Sequence, residues 1–306
     1  MYISSETRLF IREHSTDDVR TLALQSKKYP DVDMPVAITQ IAGRQIAAEK
    51  IPSWKKIEDI RYPKHLSLEQ CSSEITAYYK AGLLQGDSLT DLTGGFGVDC
   101  SFLAEKFKSV TYVERQEELC GIAAHNFPIL GLNHINVKNE DGIAHLKAMS
   151  PVDCIFLDPA RRNEHGGKAV AISDCEPDVA ALEGLLLNKA KQVMVKLSPM
   201  LDLSLALREL QQTQEVHIIS VNNECKELLL ILGQTIPQEI KIHCVNLSTK
   251  GEQEEQHFTF TREQEQCSQC NYTDSLDEYL YEPNASLLKA GAFKSLSSAF
   301  PIRKLH

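Results

Sequence analysis

Ser88-Leu-Thr-Asp-Leu-Thr-Gly-Gly-Phe-Gly-Val-Asp99, continued by Val110-Thr-Tyr-Val-Glu114, reads as strand, glycine turn, helix and a second strand that ends in an acid. Gly94, Gly95 and Gly97 let the backbone enter the positive-φ region and approach a ligand without Cβ clashes. Glu114 falls about 20 residues after the turn, where an acid can accept ribose hydroxyls. This is one nucleoside-binding half of an α/β sheet. A dinucleotide enzyme would continue to G-x-G-x-x-G, but the position of the third glycine is Cys100, which argues against NAD.

Outward from this stretch, apolar runs and helical periodicities alternate: strands at 88–93, 110–114, 135–138, 153–158, 193–198, 215–221 and 226–232, with helices at 98–107, 116–126, 142–148, 177–190 and 201–212. Strands separated by helices imply right-handed crossovers and a parallel sheet covered on both faces. Only Asn222-Asn223-Glu224-Cys225 separates the last two strands, too few residues for a crossover, so these pair antiparallel. Upstream, Ser15-Thr16-Asp17-Asp18 has capping-box spacing, Pro35 opens a helix that stops at Pro52, and Ser67 with Gln70 starts a helix that continues through Leu83. Strand-like His257-Phe258-Thr259-Phe260 opens a different pattern towards the C-terminus.

The acid, small residue and G-x-G turn of Asp91 to Gly97 resemble the first motif of class I S-adenosylmethionine (SAM) methyltransferases. Together with Leu68 to Glu74, Asp91 to Asp99, Asp158-Pro159-Ala160-Arg161-Arg162, Lys196 to Asp202 and Tyr281-Glu282-Pro283-Asn284, they resemble bacterial THUMP-like-domain methyltransferases over most of residues 30–306. The resemblance implies a Rossmann-like, seven-stranded α/β methyltransferase sheet with an antiparallel last strand. It is divided here into a helical region 1–65, a SAM-binding domain 66–245 and an α+β, ferredoxin-like accessory domain 246–306. Family members continue past the Tyr281–Asn284 segment, so the last domain is expected to be cut short.

Transferred position by position, Asp91, Thr93, Gly94, Gly95 and Gly97 would hold the ribose and methionine parts of SAM and Glu114 both ribose hydroxyls. Asp141, with Glu140 as its neighbour, would take the adenine amino group, and the same side chain suits a helix N-cap. Asp158 ends the strand where the activated methyl would sit, since ligands of such sheets bind outside the carboxyl ends of the strands. Amino-methylating enzymes carry an aromatic two residues after the proline here, and this chain has Arg161, which with Arg162 and His165 can stack on a base or pair with phosphate.

Lys196 lies in an apolar strand, where an ammonium needs a partner or a depressed pKa. With Lys64, Asp158 and Glu227 or Glu224 it fits the slots of a ribose 2′-O-methyltransferase tetrad. Cys225, in the hairpin turn, is the cysteine open to consideration for covalent pyrimidine chemistry, with Lys226 as the neighbour to lower its pKa.

No run of 18 apolar residues occurs and the first residues lack the regions of a signal peptide, so a cytoplasmic protein without a membrane span is expected. Nine scattered cysteines suit reduced thiols packed as small hydrophobes. Cys267-Ser-Gln-Cys270 has no second C-x-x-C to complete a zinc site, so no metal is expected.

The net charge of −10 speaks against a nucleic-acid partner, but residues 1–65 carry 11 Lys/Arg against 9 Asp/Glu, whereas 251–282 carry 1 against 9. A phosphate backbone meets a local patch, not the average field. Lys27, Lys28, Arg44, Lys50, Lys55, Lys56, Arg61 and Lys64 are candidates for it. Structured RNA is the acceptor the resemblance implies. A SAM-binding RNA adaptor without turnover, and a methyltransferase acting on a small molecule or protein, remain open.

Overall fold

A computed structural model describes residues 3–161, 171–249, 255–276 and 278–305. The chain forms two compact units, Met1–Ala148 and Met149–His306.

In the first unit, helices precede a parallel sheet. The helix Val19–Leu24 is capped by Asp18, whose carboxylate accepts from the Thr21 amide at 2.8 Å. Met34–Lys50 is capped by Asp33 and carries Pro35 in its first turn, where a missing N–H costs nothing. The helix expected from Ser67 through Leu83 is two helices, His65–Gln70 and Glu74–Ala81. Cys71 is extended at the break, and Ser72 beside it donates to Asp99 Oδ2 at 2.7 Å. A hydrogen bond made inside the fold overrides the helical periodicity.

The strands of this unit are β1 (Ser88–Asp91), β2 (Ser109–Glu114) and β3 (Ile135–Asn139), all parallel, with β2 between the others. The helical region is joined to the glycine turn through one core. Trp54, Tyr62, Leu68 and Ala77 share a buried cluster with Phe96 and Val98, and the Trp54 and Phe96 rings meet edge-on at 5.1 Å.

Lys80 is wholly buried. Its ammonium lies 2.9 Å from Asp99 Oδ1 and donates to Ser72 Oγ at 2.9 Å, which ties Glu74–Ala81 to the helix Val98–Ala104 that follows the turn. Removing one member of such a pair leaves an uncompensated buried charge.

The strands of the second unit are β4 (Val152–Leu157), β5 (Ala160–Arg161), β6 (Cys175–Glu176), β7 (Ala190–Leu197), β8 (Thr213–Val221), β9 (Glu224–Gly233), β10 (Lys241–Leu247) and β11 (Gln256–Thr261). β4 pairs parallel with β7, β7 antiparallel with β9, β9 antiparallel with β8, β8 parallel with β10, and β10 antiparallel with β11; β5 and β6 form a separate short ribbon.

The expected hairpin is therefore present, with β9 inserted between β7 and β8. Its turn is Asn222-Asn223, both at positive φ, the backbone that a two-residue hairpin of native twist demands and that Asn tolerates. The hairpin does not end the sheet. The strand at 241–247 escaped the sequence reading, and His257–Phe260, read as opening a separate domain, lies in β11 on its flank. Asn284 then caps the helix Ala285–Ala290 and donates to Gln256 Oε1 at 2.8 Å. Among the described residues no helix is long and apolar enough to cross a membrane.

Asp99→Ala is expected to lower unfolding free energy by about 3–5 kcal/mol, measured by urea denaturation, because Lys80 is left charged in the core. A loss below about 1 kcal/mol would show that the pair does not hold the two helices.

Candidate cofactor cradle and the carboxylate–lysine pair

The cradle is built from the first unit. β1 ends at Asp91, whose Oδ1 accepts the Thr93 amide at 3.0 Å and turns the chain out of the strand. The Gly94 amide donates to Val113 O at 2.9 Å and the Gly97 amide to Gly94 O at 2.9 Å, so the bend is fastened to β2 and closed on itself. Gly97 sits at φ +88°, and a Cβ there would stand 2.9 Å from the Phe127 ring. Gly95 is at φ +55°, and a Cβ there would meet nothing nearer than Thr93 O at 3.7 Å, so its free side opens outward. Thr93, Gly94 and Gly95 are half-exposed, while Phe96 and Gly97 are buried. The turn thus presents one face for a ligand and packs the other.

Glu114 faces this turn. Its Oε2 accepts the Gly95 amide at 2.8 Å and its Oε1 the Gln116 amide at 2.7 Å. A carboxylate has about four lone-pair sites, so each oxygen retains one for a hydroxyl. Asn139 donates to Glu114 O at 2.9 Å and pins the end of β2. Tyr112 donates to Gly95 O at 2.5 Å; burial, then the nearby Glu114 charge, push its phenol well above the ordinary range and keep it a donor.

Asp141 is exposed and caps the helix Gly142–Ala148, with Oδ1 accepting the Ala144 amide at 2.8 Å, which leaves its second oxygen outside that cap. Glu140, the alternative, is 3.1 Å from His145 Nδ1. The donor and acceptor set fits a nucleoside with a diol: a carboxylate fixed by backbone amides, an open glycine face and a second acid at a helix start.

The comparisons with known proteins bear on the whole chain. A family model described as protein-L-isoaspartate(D-aspartate) O-methyltransferase matches residues 37–163, and one described as a ferredoxin-like domain matches residues 279–306. The solved structure of a "putative methyltransferase" from Porphyromonas gingivalis W83 is 34% identical, with a TM-score of 0.86, and is covered over 100% of this chain and 77% of that one. The chain belongs to this methyltransferase family.

Its fold is accordingly the Rossmann-like methyltransferase fold. An rRNA methylase from Streptococcus thermophilus (14% identity, 52% of this chain and 93% of that one, TM-score 0.37) and a modification subunit of a type I restriction enzyme from Vibrio vulnificus YJ016 (12%, 71% and 60%, 0.45) are more distant similarities. A search of curated proteins returned no match.

In the second unit Asp158 lies directly after β4, and Lys196 lies one residue before the end of the neighbouring β7. Lys196 Nζ is 2.5 Å from Asp158 Oδ2; the lysine side chain is 10% exposed and the aspartate 36%, so the pair has one open side. Two of the other tetrad positions, Lys64 and Glu224, are engaged elsewhere. Lys64 pairs with Glu118 at 3.1 Å and Glu224 with Lys226 at 2.6 Å, all outside the core, while Glu227 is buried in β9.

Arg161 is placed by its backbone, opposite Cys175 in the β5–β6 ribbon; Arg162 and His165 lie outside the described residues. Cys225 has its thiol pushed up, mainly by burial, which disfavours it as a nucleophile. Reasoning from sequence missed Tyr112 and the Ser72–Lys80–Asp99 network, although Asp99 and Ser72 sit inside the quoted motifs.

Glu114→Gln would turn one acceptor into a donor facing a backbone amide. SAM affinity measured by calorimetry is expected to fall at least about tenfold, with the circular dichroism spectrum retained. Unchanged affinity would remove Glu114 from the cradle.

Proposed function

We propose that this protein is a SAM-dependent methyltransferase that acts on structured RNA, with the helical residues 1–65 helping to dock the substrate. The observation that carries the enzyme reading is the Glu114 carboxylate held at 2.8 Å by the Gly95 amide within the open glycine turn. In this reading Glu114 takes the ribose diol, the Thr93–Gly97 bend and Asp91 flank the ribose and amino-acid portion, and Asp141 offers its second oxygen to the adenine amine. SAM supplies a methyl group on a sulfonium, which leaves as a neutral thioether.

Asp158 and Lys196 are assigned to the acceptor. A hydroxyl or amine that attacks a methyl group must shed a proton as its charge changes, and a carboxylate can accept it directly. The Lys196 ammonium, 2.5 Å from Asp158 Oδ2, is placed to stabilise negative charge developing on an acceptor oxygen. Arg161 is assigned a phosphate or base beside them.

Support for RNA comes from a cleft lined by Arg8, Arg12, Arg44 and Arg61 of the helical region and by His125, in which Asp59 pairs with Arg8 at 3.6 Å and Glu58 with Arg12 at 3.8 Å. Burial, followed by repulsion from Arg8, pulls the Arg61 pKa below its ordinary value, and a bound phosphate would relieve that repulsion. A protein acceptor is the second reading, favoured by the isoaspartate methyltransferase match over residues 37–163.

Labelled methyl transfer from SAM to total RNA of cells lacking this protein tests the reading. Label that is precipitable and ribonuclease-sensitive is expected; label in protein, or none in either fraction, would overturn the RNA assignment. Lys196→Met is expected to lower transfer by about 10²-fold or more while SAM affinity stays within about twofold. Arg44→Ala should weaken RNA binding and reduce its salt dependence by about one phosphate contact, read from affinity against salt concentration.

A further inference from the structure

β8 and β10 run parallel with His217 directly opposite His243, and Glu215, two residues before His217, projects from the same face. The imidazoles stack with centroids 4.5 Å apart and planes 11° apart. One carboxylate oxygen, Glu215 Oε2, lies 3.5 Å from His217 Nε2 and 3.8 Å from His243 Nε2. Ligating atoms of the three residues all fall within 4.8 Å of one another. We propose that Glu215, His217 and His243 form a binding site for a zinc-like divalent transition-metal ion, separate from the Asp158–Lys196 pair and from the Cys267–Cys270 segment.

The distances favour an ion over a hydrogen-bonded cluster. Separations of 3.5 and 3.8 Å are too long for N–H···O bonds. They are close to the roughly 3.3 Å edge of a tetrahedron whose metal–ligand bonds are about 2.0–2.1 Å, and the site closes on an ion once the stacked rings turn so that both Nε2 lone pairs point at it. The Nε2 atom of His243 is buried with no hydrogen-bond partner among the described residues, while its Nδ1 lies 2.9 Å from Thr259 Oγ1 on β11. A hydrogen bond from Nδ1–H leaves the lone pair on Nε2, the arrangement in which an outer partner orients a metal-bound imidazole.

His217 is nearly inaccessible, but the His243 and Glu215 side chains are 24% and 40% exposed, which gives an ion a way in and leaves a fourth position for water. Two imidazoles and a carboxylate select zinc, cobalt or nickel over magnesium or calcium. An ion here would clamp β8 to β10, where the sheet continues beyond its hairpin.

The test uses the full chain, freed of metal by dialysis and titrated with Co²⁺ and Zn²⁺. Expected are one equivalent of Co²⁺ with visible d–d bands and no thiolate charge-transfer band, a Zn²⁺-dependent rise in Tm, and at least tenfold weaker binding in both His243→Ala and Glu215→Gln. Glu215→Gln changes a part-exposed side chain, so it decides the matter if His243→Ala does not fold. Absence of binding at about 100-fold excess of either metal over protein, a thiolate band, or binding unchanged in Glu215→Gln would each overturn the site.

Discussion

An ammonium buried without water is tolerable only beside a counter-charge, and Lys80 has Asp99 at 2.9 Å and Ser72 at 2.9 Å. That requirement fixes more than one pair. Asp99 stands in the first turn of the helix that follows the glycine bend, so the helix preceding β1 and the helix following the bend hold one another at a set distance. Phe96, from the bend itself, packs on Trp54 and Tyr62, which brings the N-terminal helices into the same core. The cradle is thus positioned from behind by charge and packing, and its front is left to backbone amides and glycines.

Within this frame each polar group of the candidate cradle serves the fold. Glu114 satisfies two amides that would otherwise be left over at a turn. Asp141 satisfies one at a helix start, and Asp91 one at a strand end. The remaining lone pairs of Glu114 and Asp141 are oriented by bonds already made, which is how a site would acquire preorganised acceptors at little additional entropic cost. The same economy appears in the second unit, where Lys196 is tolerated inside an apolar strand because Asp158 stands beside its head.

The sequence determined the local structure. Periodicity of 2 and 3.6, glycines at a bend and Asn-Asn in a hairpin are effects of near neighbours, so the main strands and helices from 88 to 233 and the antiparallel β9 were legible, as was the capping use of Asp141, whereas the short β5–β6 ribbon was not. Tertiary structure decided what depends on residues far apart in the chain. Ser72 breaks a helix because of a bond 27 residues away, and His217 meets His243 because β10 pairs with β8. The arginine cleft gathers side chains from four separate stretches. Such contacts follow from register and packing across the fold, and no local pattern encodes them, because their energy is realised only once distant segments have been brought together.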